Sequence, residues 1–123
     1  MRGAGMQIGA HTVSHPILAR LDEAEARREI VRSKDDLESI TGRPVSLFAY
    51  PNGRPGRDYT ARDVELARGA GFGCAVSTSP GAVRAARYPD LSFQLPRFTP
   101  WDRTAGAFGA RLVRNLFTEP SAA

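Results

Sequence analysis

Residues 8–16 read IGAHTVSHP, and this stretch holds both histidines of the chain, His11 and His15. A spacing of four places two imidazoles on one face of a single helical turn, where both rings can reach one cation. Pro16 limits how far such a turn extends, because it disfavours the α conformation at His15. Thr12 and Ser14 carry short hydroxyls suited to bonding nearby backbone or to fixing a histidine ring. Two donors do not complete a catalytic zinc site, which uses three protein ligands and one open position, so a third must come from elsewhere. The competing reading of the pair is two unrelated surface or core histidines.

The flanking sequence sets the fold class. MQIG (6–9) reads as a short strand running into the histidine segment. Asp22 with Glu25 three residues on forms a capping-box start for a helix over about 22–41, with Ala26, Ile30, Leu37 and Ile40 at helical spacing and Val31 widening the stripe. Gly42 and Pro44 end it. VSLFAY (45–50) is a β-branched and aromatic run closed by Pro51, as expected of a buried strand. PNGRPGRD is turn chemistry. Thr60 or Asp58 caps a second helix over about 60–69, and FGCAVS predicts the next strand. Residues 79–92 read as irregular, FQLPRF (93–98) as a short strand interrupted by Pro96, and 103–117 as a final helix with Phe108, Leu112, Val113, Leu116 and Phe117 near one face. Strands alternating with helices predict an α/β fold with a parallel sheet, whose functional groups gather at the carboxyl ends of the strands. The histidine segment, YPNG and LPR each follow a predicted strand, so all three are expected at one mouth.

Composition excludes several classes. The 123 residues suffice for one domain, with 41% hydrophobic and 24% charged residues. No stretch approaches the length of a membrane span, and the first ten residues lack the apolar core of a secretory signal. The single cysteine, Cys74, excludes an internal disulfide and a cysteine-based zinc cluster, and reads as a small core residue. Net charge is +4 and the pI about 10.0, but the arginines are dispersed among acidic residues with no basic run. That pattern argues against nucleic acid and suits an anionic polymer equally well.

GMQIGAHTVSHP resembles the second motif of the polysaccharide deacetylases, the NodB-like family 4 carbohydrate esterases: Gly5, Ile8, Gly9, His11, Thr12 and His15 match. FAYPNG is similar to the family's third motif, and LPR, with Leu95 and Arg97, to its fifth. The resemblance covers about residues 3–101. It implies a partial, distorted (β/α) barrel, with residues 1–123 a single incomplete deacetylase domain. It implies hydrolysis of N- or O-acetyl groups on a polysaccharide or oligosaccharide, with a divalent metal, expected to be zinc, held by His11 and His15. By the same resemblance Pro51 and Asn52 line the acetyl pocket, with the Asn52 N–H as an oxyanion donor, while Tyr50 reads either as a substrate contact or as a core residue.

The sequence departs from the family pattern in three places. The first motif, an Asp-Asp segment that supplies the base and a ligand, has no match. Asp22, Asp35 and Asp36 read as solvated, and Asp58 and Asp63 as cap residues. Ala49 stands where the third motif carries arginine, and Arg97 where the fifth carries a histidine acid. Arginine stays protonated and cannot act as that acid. Arg97 is expected instead to replace the missing arginine or to bind a substrate oxygen or carboxylate, and is the one catalytic candidate. Trp101 reads as packing rather than as a sugar platform. The chain is therefore expected to be the C-terminal part of a deacetylase domain, impaired in catalysis and inclined to self-associate through an open barrel edge. The alternative is a non-catalytic carbohydrate- or metal-binding remnant.

Overall fold

Asp22 opens the first helix by accepting the Glu25 N–H at 2.8 Å. The computed structural model describes residues 5–83 and 89–123, and in it this helix, α1, spans Glu23–Thr41. Gly42 closes it at φ 63°, donating its N–H to the Glu38 carbonyl, the left-handed stop that glycine adopts without a Cβ penalty. Strand β1 (Leu47–Ala49) follows. Helix α2 (Ala61–Gly69) starts at a capping box between Thr60 and Asp63, and strand β2 (Cys74–Val76) pairs in parallel with β1. Helix α3 (Ala105–Leu116) is capped by Thr104.

The expected strands at 6–9 and 93–98 contract to single parallel bridges. Ala10 pairs with Phe48 and Val76 with Leu95, so the lateral order is Ala10, β1, β2, Leu95. Pro96 supplies no N–H to continue the second of these. In the first, Met6 and Ile8 are exposed. The expected irregular stretch 79–92 falls partly outside the described residues, and Pro89–Phe93 is a short 3-10 helix.

The core lies beneath this parallel array. Phe48, Tyr50, Tyr59, Phe72, Ala75 and Phe93 are buried together with Ala26 and Ile30 of α1 and Val64, Leu66 and Ala67 of α2. Tyr50 and Tyr59 stack with ring centres 3.9 Å apart. Lys34 of α1 donates to the Ala70 and Gly71 carbonyls, which joins the two helices. Asp63, fully buried, accepts from Thr60 N, Thr60 Oγ1 and the Arg62 guanidinium. Arg62 in turn donates to the Leu18 and Leu21 carbonyls, so this pair anchors the chain that leaves the histidine segment.

Three packing expectations are corrected. Ile40, in the last turn of α1, is 77% exposed, and Cys74 is half-buried. Trp101 is 82% exposed. It follows Pro100 in a loop, and the packing of that region is made by Phe98 against Phe108, with ring centres 5.4 Å apart. The apolar face of α3, with Val113, Leu116 and Phe117, is exposed. Among the described residues no helix is long and apolar enough to cross a membrane.

Candidate functional site

The histidine segment is not a helical turn. Thr12 and His15 both have left-handed backbones, at φ 62° and 58°, which no α turn contains. The rings meet because the loop is folded back on itself, and their centres lie 4.8 Å apart in an edge-to-face arrangement. Thr12 Oγ1 donates to the His11 carbonyl and accepts the His15 N–H. His11 Nδ1 lies 2.7 Å from the Ala49 carbonyl. A carbonyl can only accept, so Nδ1 carries the proton and the Nε2 lone pair is left for another partner. The position where the resemblance lacks an arginine therefore contributes its backbone instead.

The loop is held from outside by Glu29, on α1. Its carboxylate accepts from Val13 N, Ser14 N and Ser14 Oγ at 2.8–2.9 Å. Sequence reasoning missed this residue, since a glutamate on a helix reads as solvated surface. Burial alone would raise the Glu29 carboxyl, but the Ser14 and Val13 donors and nearby Arg32 outweigh it and hold the group below its ordinary value. A group whose folded value is depressed stabilises the fold above its unfolded value and loses that contribution as pH falls through the folded one. The loop is therefore expected to open in acid, below the ordinary carboxyl value of 4.5, followed by the Val13 and Ser14 amide signals in NMR. Glu29→Gln removes that acid transition, and Glu29→Ala is expected to weaken the fold by about 1–2 kcal/mol in chemical denaturation.

Asn52 lies past the end of β1, in a turn that glycine makes possible. Gly53 has φ 77°, and a Cβ there would stand 2.9 Å from Thr78 N. Asn52 is itself left-handed at φ 57°, its carbonyl accepts from Thr78 Oγ1, and its N–H has no protein acceptor among the described residues. The Tyr50 side chain is fully buried and its hydroxyl donates to the Phe93 carbonyl at 2.9 Å. Burial raises its phenol far above the usual range and pushes that of Tyr59 up to about 12. Pro51 is equally buried. Tyr50 and Pro51 are thus buried beneath the turn, and neither lines the cavity described next.

A cavity of about 750 Å³ opens at the carboxyl ends of the four parallel segments. His11, His15, Asn52 and Arg97 all line it, so the structure brings together the expected groups from three different segments. Trp101 lines it as well, as do Arg111 and Arg114 of α3, which sequence reasoning left unassigned. The third donor is not in evidence. Among the described residues no group of three His, Cys, Asp or Glu side chains is placed to hold a metal ion. The imidazole pair, with one ring's tautomer set by Ala49, fits two of the positions a divalent ion needs.

Known proteins share this fold. Similar solved structures include the Streptococcus pyogenes deacetylase PplD in complex with acetate, at a TM-score of 0.70 and 27% identity, covering 97% of this chain and 47% of that one. A polysaccharide deacetylase from Bacillus cereus matches at a TM-score of 0.70 and 26% identity, covering 85% of this chain and 31% of that one. A family 4 carbohydrate esterase from Streptomyces lividans in complex with acetate shares the fold, at a TM-score of 0.55 and 19% identity, covering 93% of this chain and 62% of that one. The chain thus spans less than half the length of the first two. Among curated proteins none matches. The polysaccharide deacetylase family model matches residues 1–74, well over half of the chain. Sharing the α/β fold of these structures as well, the chain belongs to the polysaccharide deacetylase family.

Proposed function

We propose that this chain forms the histidine-bearing part of a metal-dependent deacetylase site, acting on N- or O-acetyl groups of a polysaccharide or oligosaccharide. One observation carries the reading: His11, His15, Asn52 and Arg97 surround a single cavity at the carboxyl ends of parallel segments. That is where open α/β folds bind their ligands. In this reading residues 1–123 are one incomplete domain, and its parallel array is an arc of a distorted (β/α) barrel.

His11 and His15 would hold the divalent ion, with zinc the ion best matched to two neutral imidazoles. Such an ion supplies polarisation of a carbonyl and activation of water. The chain's own groups do the rest. Ala49 keeps the His11 ring in one tautomer and one orientation. The Asn52 N–H, without a protein acceptor among the described residues, suits an oxyanion developing on the acetyl carbonyl oxygen. Arg97 cannot serve as the acid, and binds substrate through its guanidinium. Trp101 offers an exposed ring at the cavity on which a sugar face can stack.

Among the described residues no third His, Cys, Asp or Glu side chain is placed to hold a metal ion with the imidazole pair, so the chain by itself is expected to turn over weakly. This observation also favours a second reading, a carbohydrate- or metal-binding remnant without catalysis. Zinc titration together with acetate release from an acetylated chitooligosaccharide separates the two. Zinc bound at one equivalent with slow, zinc-dependent acetate release supports the deacetylase reading. Zinc bound with no release supports the remnant, and no zinc bound removes the metal from both.

A further inference from the structure

The wall of the cavity is strongly one-signed. Among the described residues four arginines line it, Arg54, Arg97, Arg111 and Arg114, and no aspartate or glutamate does. Two of the four are answered from behind. Arg54 pairs with the buried Asp58 at 3.1 Å, and Arg111 pairs with Asp102 and donates to the Thr99 carbonyl. Arg97 and Arg114 are exposed and have no carboxylate partner among the described residues. They come from different segments of the chain: Arg97 follows the Leu95 bridge, and Arg114 sits in the last turn of α3.

Two unanswered guanidiniums beside an aromatic ring and a histidine pair are poorly matched to a neutral saccharide. Each presents a planar fork of N–H donors, the geometry that fits an oxyanion. A concave wall of one sign also concentrates an oppositely charged ligand. We infer that Arg97 and Arg114 form an anion subsite beside the histidine pair, so that the saccharide taken up here carries a carboxylate or a phosphate close to its acetylated sugar. The acetylated part of that ligand rests on the deacetylase reading. The anionic part rests on the arginines alone.

The test is binding, measured by calorimetry on the full chain without added metal. Three acetylated oligosaccharides of equal length are compared: an oligouronate, a phosphorylated oligomer, and the oligouronate after methyl esterification, which is neutral. The expected result is that a charged oligomer binds about tenfold more tightly than the neutral one, with the gap closing as salt is raised. Whichever charged oligomer shows the gap identifies the anion. In the variant carrying Arg97→Gln and Arg114→Gln the gap disappears, while zinc uptake, read by competition with a coloured chelator, stays as in the unaltered chain. Equal affinity for all three oligomers overturns the subsite, as does a gap that survives in the double variant. A charge-dependent gap in a chain that takes up no zinc would instead leave the subsite standing and remove the metal reading.

Discussion

Asp63→Ala is expected to lower the unfolding free energy by about 3–5 kcal/mol, the range found when one member of a buried ion pair is removed. The side chain is fully buried and accepts from four donors, two on Thr60 and two on Arg62. Its loss strips the Thr60 N–H of its acceptor at the start of α2, undoing the capping box. It also leaves the Arg62 guanidinium, only partly exposed, without its counter-charge. Arg62 holds the Leu18 and Leu21 carbonyls, so the segment that follows the histidine loop loses its anchor as well. Urea unfolding followed by circular dichroism measures the effect. A loss under about 1 kcal/mol would show that the pair contributes no more than an exposed surface bridge.

The largest functional effect is expected at His11. His11→Ala should reduce zinc affinity by more than about a hundredfold, beyond the 10- to 100-fold typical of losing a group that merely supports a ligand. The reason is positional. His11 is the ring whose tautomer is set by the Ala49 carbonyl, and it stands 4.8 Å from its partner, centre to centre. His15→Ala should have an effect of the same order, since in the proposed site both donors would act on one ion. Competition with a chromogenic chelator reads both variants. Full zinc affinity in either would mean that the two rings do not share an ion.

Much of the fold could be read from local chemistry. The ends of α1 were legible because Asp22 and Gly42 act within one turn of themselves, and Thr60 as a cap of α2 for the same reason, though its reciprocal bond with Asp63 was not. Strands were legible where both faces are covered, as at Phe48 and Ala75, and not at the flanks, where one bridge replaces an expected run. The mouth of the site was legible too, because each motif follows the end of a parallel segment. The conformation of the histidine loop was not. A spacing of four admits a helical turn, and what chooses a folded-back loop instead is Glu29, whose three acceptor bonds come from a helix 15 or 16 residues further on. Nor could composition reveal that Arg111 and Arg114 would turn towards the cavity. That depends on the seat of α3, held where Asn115 exchanges hydrogen bonds with both backbone groups of Gly81.

The left-handed backbones at Thr12, His15 and Asn52 are the three non-glycine residues with positive φ among those described. Each such conformation costs on the order of 1 kcal/mol or more in isolation, and persists only where its surroundings impose it. The rim around the imidazoles is thus a tensioned region resting on a relaxed interior. Any weakening of the interior, however distant, will be released there first, by local opening of the rim while the helices below remain folded.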